Sequence, residues 1–140
     1  MFGSIFAVGA GLALYLAPPP SADSPTAVPD LHPIEARVVE RTNAQRARHG
    51  LPPLSVDQKL LSSARRHAAW MTNSRSLTHT TQPVGENIAM GQRSSAEVIN
   101  SWMNSSGHRA NILNPGYTRI GVAAYVTPGG TIYWCQQFLR

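Results

Sequence analysis

With 140 residues and 42% hydrophobic side chains, the chain has enough material for one self-sufficient core and too little for several domains. Twelve Lys and Arg against seven Asp and Glu leave a net charge of +5, which favours anionic lipid headgroups or acidic envelope polymers through long-range attraction. Nucleic acid is not expected as a partner, because no RNA-binding or zinc-finger pattern interleaves with the arginines, and the lone Cys135 excludes an intrachain disulfide or a cysteine-based zinc cluster.

Residues 1–17, "MFGSIFAVGAGLALYLA", carry no charged side chain and run into Pro18, Pro19 and Pro20. The run is short for a membrane span of about 20 residues and suits the apolar region of a signal peptide, or an N-terminal anchor, over residues 1–22. Either reading places the protein outside the cell or in its envelope. Residues 23–31 are rich in Pro, Ser and Ala and read as an extended tether. The folded domain is expected over residues 32–140.

A first helix is predicted over residues 33–49, with Pro33 in its opening turn, Ile34, Val38, Thr42 and Gln45 or Arg46 along one face, and Gly50 as the stop. A solvated polar face explains most of the helical arginines (Arg37, Arg41, Arg46, Arg48, Arg65 and Arg66). A second helix is predicted to open on a capping box, Ser55 with Gln58, and to bury Leu60, Leu61, Ala64, His67, Ala68 and Met71. Residues 72–85 read as a polar loop carrying His79. "VGENIAMG" follows as a short strand or turn. A second capping box, Ser94 with Glu97, starts a third helix that turns Val98, Ile99, Trp102 and Met103 inward and ends near residues 105–107.

The period then changes from helical to alternating. Ile120, Val122, Ala124 and Val126 share one side of a strand, Ile132, Trp134, Gln136 and Phe138 share one side of another, and Thr127-Pro128-Gly129-Gly130 supplies the turn of an antiparallel hairpin. Helices first and strands last imply an α+β fold with helices covering the sheet.

Six ordered blocks, "NAQRARHGLPPL", "LTHT", "GENIAMG", "SWMNSSGHRANIL", "IGVA" and "YWCQQF", resemble the CAP superfamily (cysteine-rich secretory proteins, antigen 5 and pathogenesis-related 1), and among its members the short, disulfide-free bacterial SCP-like extracellular proteins. The resemblance runs from about Ile34 to Phe138. It implies an α-β-α sandwich around a small antiparallel sheet, with an open cleft lined by two His and two Glu that holds a divalent cation in several members. Carried over by position, the cleft residues are His79, Glu86 and His108. The fourth member, a Glu after the third-helix Trp in many eukaryotic relatives, falls on Ser105.

Two imidazoles and one carboxylate suit an open zinc site with water in the fourth position, so His79, Glu86 and His108 are the expected metal ligands. The bland alternative is a hydrogen-bonded Glu–His pair that ties the end of the third helix to the "GENI" segment, because a buried Glu86 needs partners in either case. Glu97 is assigned to capping, His67 to core packing, and His32 and His49 to helix ends. Arg46, Asn87 and Asn111 are assigned to holding loops through backbone hydrogen bonds. Ser105 and Ser106 beside His108 do not read as a hydrolase, because there is no GxSxG elbow and sequence neighbours seldom face each other as nucleophile and base. Cys135 reads as a small buried hydrophobe.

The expected function is binding of an amphiphilic, lipid-like or envelope ligand in that cleft by an exported monomer without turnover. A metal-dependent hydrolase using the same cleft, and an adhesion or signalling module acting through its outer surface, are the alternatives.

Overall fold

The computed structural model describes residues 29–140; the expected signal or anchor over residues 1–22 and most of the tether lie outside the described residues. In chain order the elements are α1 (Pro33–Arg48), β1 (Ser55–Val56), α2 (Gln58–Ser74), β2 (Gly85–Met90), α3 (Ser95–Met103), α4 (Ser106–Ile112), β3 (Arg119–Val126) and β4 (Ile132–Leu139). The strands form one sheet in the order β1-β3-β4-β2. The hairpin β3–β4 and the pair β2–β4 are antiparallel, whereas the two-residue β1 joins β3 in parallel.

The alternation read from the sequence sorts the sheet into two faces. Ile120, Val122, Trp134 and Phe138 face one way and form a core with Val38, Val98, Ile99, Trp102 and Ile112 from α1, α3 and α4. Ala123, Tyr133, Cys135 and Ile88 face the other way, against Ala64, Ala68 and Met71 of α2. Helices therefore cover both faces, the α-β-α sandwich implied by the resemblance.

Small residues set how closely α2 lies on the sheet. A Cβ added to Gly121 would stand 2.2 Å from the Leu60 carbonyl carbon and 2.5 Å from the Leu61 nitrogen. Gly121 and Ala123 thus leave room for the helix backbone itself, and Ala64 and Ala68 answer from the helix side.

The first core carries polar groups, each bonded. Arg46 is fully buried and is the exception to the solvated arginine face. Its guanidinium donates to the carbonyls of Pro52, Ile112 and Asn114 at 2.9 Å and of Tyr117 at 3.4 Å, so it ties the turns after α1 and α4 together, as the loop-holding role requires. Glu35 is buried as well and takes two bonds from Arg65, at 2.9 and 2.6 Å.

Several element ends differ from the sequence reading. Asp57, not Ser55, caps α2, its carboxylate accepting from the Lys59 and Leu60 amides at 2.9 Å. Ser55 is drawn into β1 because pairing with β3 satisfies its backbone and leaves the cap to the next acceptor in the chain. The second helix runs on to Ser74 and stops at Arg75, whose φ of 55° is left-handed. The loop carrying His79 is correspondingly shorter than expected. "GENIAM" is a full strand. Past α3 the chain does not simply end its helix but turns at Ser105 and starts the separate α4. Ser94 caps α3 as expected, accepting from the Glu97 amide at 3.1 Å, while Glu97 reaches back to the Arg93 amide at 2.8 Å.

Replacing Gly121 with Ala is expected to cost roughly 1–3 kcal/mol of stability, because the methyl group meets helix backbone rather than a mobile side chain. Gly107→Ala, a helical position with nothing within 4 Å, is expected to be neutral or to stabilise by up to about 1 kcal/mol. Urea denaturation of the two variants against the parent checks the contrast.

Candidate functional site: a buried carboxylate and two histidines at the β2 edge

β2 is an edge strand, and its pleat sends consecutive side chains to opposite faces. Glu86 turns toward α2 and the His79 loop, and Asn87 toward α3 and α4. The two residues thereby hold both helical layers to the same edge.

Glu86 is only 8% exposed, and its carboxylate is met by donors from two elements, the His79 loop and β4. Oε1 accepts from His79 Nδ1 at 2.8 Å and from the Thr80 amide at 2.9 Å. Oε2 accepts from Gln137 Nε2 at 2.9 Å and from the Cys135 thiol at 3.6 Å, with His67 Nε2 at 3.8 Å. A carboxylate offers acceptors only, so His79 must carry its proton on Nδ1 and present Nε2 outward. Burial, followed by the neighbouring Glu86, pushes the Cys135 thiol well above its usual range. It is a buried proton donor rather than a nucleophile.

On the opposite face, Asn87 Nδ2 donates to the His108 carbonyl and to Gln136 Oε1, each at 3.1 Å. Gln136 in turn donates to Thr42 Oγ1 at 2.7 Å, and Thr42 donates to the Val38 carbonyl at 2.7 Å. Asn111 reaches the outer edge of the strand, donating to the Glu86 carbonyl at 3.1 Å and to Asn87 Oδ1 at 2.9 Å. This amide chain satisfies the open edge of β2 and fixes α4, and with it His108, against the strand.

The His108 ring makes no hydrogen bond to a described residue. Burial first, and then the charge of His79, hold its pKa below the ordinary histidine value. The two imidazoles are therefore near enough to feel each other, and His108 favours its neutral form. His79 has its side chain 60% exposed. Ser105, at the start of α4, makes no side-chain cap bond and supplies no carboxylate.

Among the described residues no group of three or more His, Cys, Asp or Glu stands in an arrangement ready to hold a metal ion. The donor set is suited to a cation only in part. Glu86 has both oxygens occupied by protein donors, while His79 Nε2 and the His108 ring are the unoccupied nitrogens. A carboxylate holding Nδ1 of an imidazole is the usual outer-shell support of a histidine ligand.

His67 is the residue whose place the sequence reading missed. Its ring is satisfied as expected, Nε2 lying 2.7 Å from the Thr78 carbonyl, but it stands beside Glu86 rather than in the core. Its position on the flank of α2, one residue before the fully buried Ala68, was the available signal.

This fold and this edge define a CAP domain. A family model for the cysteine-rich secretory protein (CAP) family matches residues 39–138, and the chain belongs to that family. An uncharacterised Bacillus subtilis protein, YkwD, is 42% identical over 122 residues, covering 75% of this chain and 46% of the relative. The chain spans less than half the length of that relative and 34% of a second, the Bacillus subtilis membrane protein YlbC. An extracellular SCP-domain protein of Bacillus anthracis is similar in structure at a TM-score of 0.69 and 28% identity, over 79% of this chain and 44% of its own. An outer surface protein of Borrelia burgdorferi shares the fold at a TM-score of 0.67 and 21% identity, over 72% of this chain and 87% of its own. Within the family the chain falls in the bacterial, SCP-like branch. No helix among the described residues is long and apolar enough to cross a membrane.

Two outcomes are expected from this geometry. Glu86→Gln places an amide N–H₂ against donors on one side or the other and is expected to cost about 2–3 kcal/mol in urea denaturation. Because the folded state resists protonation of His108, the unfolded chain takes up the proton first as pH falls. The contribution of this position is complete above about pH 6.5 and is lost as pH drops toward the lowered value. Thermal melts from about pH 7.5 to about pH 5 are expected to show the parent losing stability relative to His108→Gln.

Proposed function

We propose that this CAP domain is exported, remains at the cell surface or in the surrounding medium, and binds an envelope component in the cleft formed by His79, Glu86 and His108. The observation that carries the reading is the 2.8 Å contact between His79 Nδ1 and Glu86. It leaves Nε2 of an exposed imidazole directed away from the carboxylate, within electrostatic range of a second imidazole whose protonation burial disfavours. Two such nitrogens suit a ligand donor or a divalent cation such as zinc, with His79 and His108 as the holding residues and Glu86 orienting the first of them. The cation would supply a Lewis-acidic point for an anionic or carbonyl group of the ligand.

Support for export comes from the uncharged apolar run at residues 1–17 and from the extracellular Bacillus anthracis relative. The net charge of +5 favours encounter with anionic surfaces.

Binding accounts for the site better than hydrolysis does. A general base needs a lone pair directed at substrate water, and the Glu86 lone pairs already receive His79, Thr80 and Gln137. Ser105 occupies the place of the second family carboxylate and offers no acid–base partner.

Calorimetric titration with zinc and cobalt tests the cleft. His79→Ala and His108→Ala are each expected to abolish cation binding, Glu86→Gln to weaken it by about 10-fold or more, and the parent affinity to fall as pH drops below about 6.5 toward the lowered His108 value. Equal binding by the parent and both histidine variants would end the cation reading.

A further inference from the structure

A hollow opens beside His67 on the flank of α2. It has about 190 Å³ of free space and is lined by Ser63, Arg66, His67 and Trp70 of α2 and by Thr80 and Gln82 of the following loop. Ser63, Arg66, His67 and Trp70 fall at i, i+3, i+4 and i+7, so they form one stripe along the flank of the helix. Trp70 is 49% exposed, an unusual place for an indole. It is nonetheless held in place: its ring stacks on His67 at 5.7 Å between centroids and 12° between planes, and His67 is itself bonded to the Thr78 carbonyl at 2.7 Å. The side chains of Arg66 and Gln82 make no hydrogen bond to a described residue, and neither does the indole N–H of Trp70.

The lining narrows the ligand class. A cationic ligand, otherwise suited to an indole face, meets Arg66 and His67. An acyl chain or sterol needs apolar walls, and here the lining around the ring is hydroxyl, amide, imidazole and guanidinium. The space equals that of about six water molecules at ~30 Å³ each, the scale of one small polar ring rather than an extended amphiphile. A ring with one apolar C–H face and hydroxyls or amides around its rim answers both halves of the lining: the C–H face lies on the indole, and the rim meets Arg66, Gln82, Ser63 and Thr80.

We propose that the hollow between α2 and the His79 loop is a saccharide subsite in which Trp70 is the stacking platform and Arg66 and Gln82 read the ring substituents. It rests on the envelope reading for its choice of glycan, and Thr80, shared with Glu86 through its amide, joins it to the histidine cleft.

Trp102 and Trp134 are 1% and 0% exposed, so a collisional quencher in solution reports on Trp70. The full chain is titrated with chitotetraose, a neutral N-acetylglucosamine oligomer, and separately with vesicles of phosphatidylglycerol, while acrylamide quenching is followed. Saccharide is expected to shield Trp70, and Trp70→Ala and Gln82→Ala each to weaken binding measured by calorimetry by about tenfold, with Trp70→Phe recovering part of the loss. Shielding by vesicles with none by the saccharide, or undiminished saccharide binding by Trp70→Ala, overturns the subsite. Cobalt titration of the same Trp70→Ala protein reads the histidine cleft independently, so failure of either reading is distinguishable from failure of the other.

Discussion

Burying the Glu86 carboxylate obliges its surroundings to deliver donors, and much of the architecture around the cleft follows from that requirement. The donors come from the His79 loop and from β4, with His67 of α2 standing 3.8 Å away. No one of these elements satisfies the group alone, and a carboxylate left partly unpaired in this position is strongly destabilising. Meeting the need draws the loop down onto the strand, orients His79, and leaves His67 between the carboxylate and the hollow on the flank of α2.

The next residue applies the same logic to the opposite face. Asn87 is a buried amide with two donors and an acceptor, and its partners belong to α4 and β4. One strand step therefore converts a sequence dipeptide into a clamp on two layers, because successive side chains of a strand point in opposite directions. Arg46 plays a comparable part at the far end of the first core, where one planar guanidinium gathers carbonyls from two separate turns. Loops with little regular structure are in this way fixed by side chains from regular elements. His108 inherits its place from a comparable helix-to-strand tie rather than from a hydrogen bond of its own ring.

Position relative to the sheet also separates the roles of similar residues. His67 and His79 both lie near Glu86, yet His67 gives its nitrogen to the Thr78 carbonyl while His79 gives its own to the carboxylate. The first becomes a shelf for Trp70, and the second keeps a nitrogen available at the surface. Cys135 approaches the same carboxylate from the core side and is closed to solvent.

Periodicity by itself determined the longer elements: the helical spacing of α1, α2 and α3, the alternation of β3 and β4, and the turn glycines between the strands were legible because each depends on neighbours a few residues apart, whereas β1 and α4 were not and β2 stayed open between strand and turn. Ordered motif blocks made the family legible too, and as a resemblance they pointed to His79, Glu86 and His108. What the tertiary structure decided were competitions between local and distant partners. Ser55 had a local use as a cap but pairs with β3, leaving the cap to Asp57; Arg46 read both as a helical-face arginine and as a loop-holder, and only the carbonyls of Pro52, Ile112, Asn114 and Tyr117 decided for the second. Glu86 had the chemistry of a ligand, and only the convergence of His79, Thr80 and Gln137 showed its oxygens taken. Each of those outcomes turns on groups brought together across tens of residues, where hydrogen-bond satisfaction in a buried setting outweighs local preference.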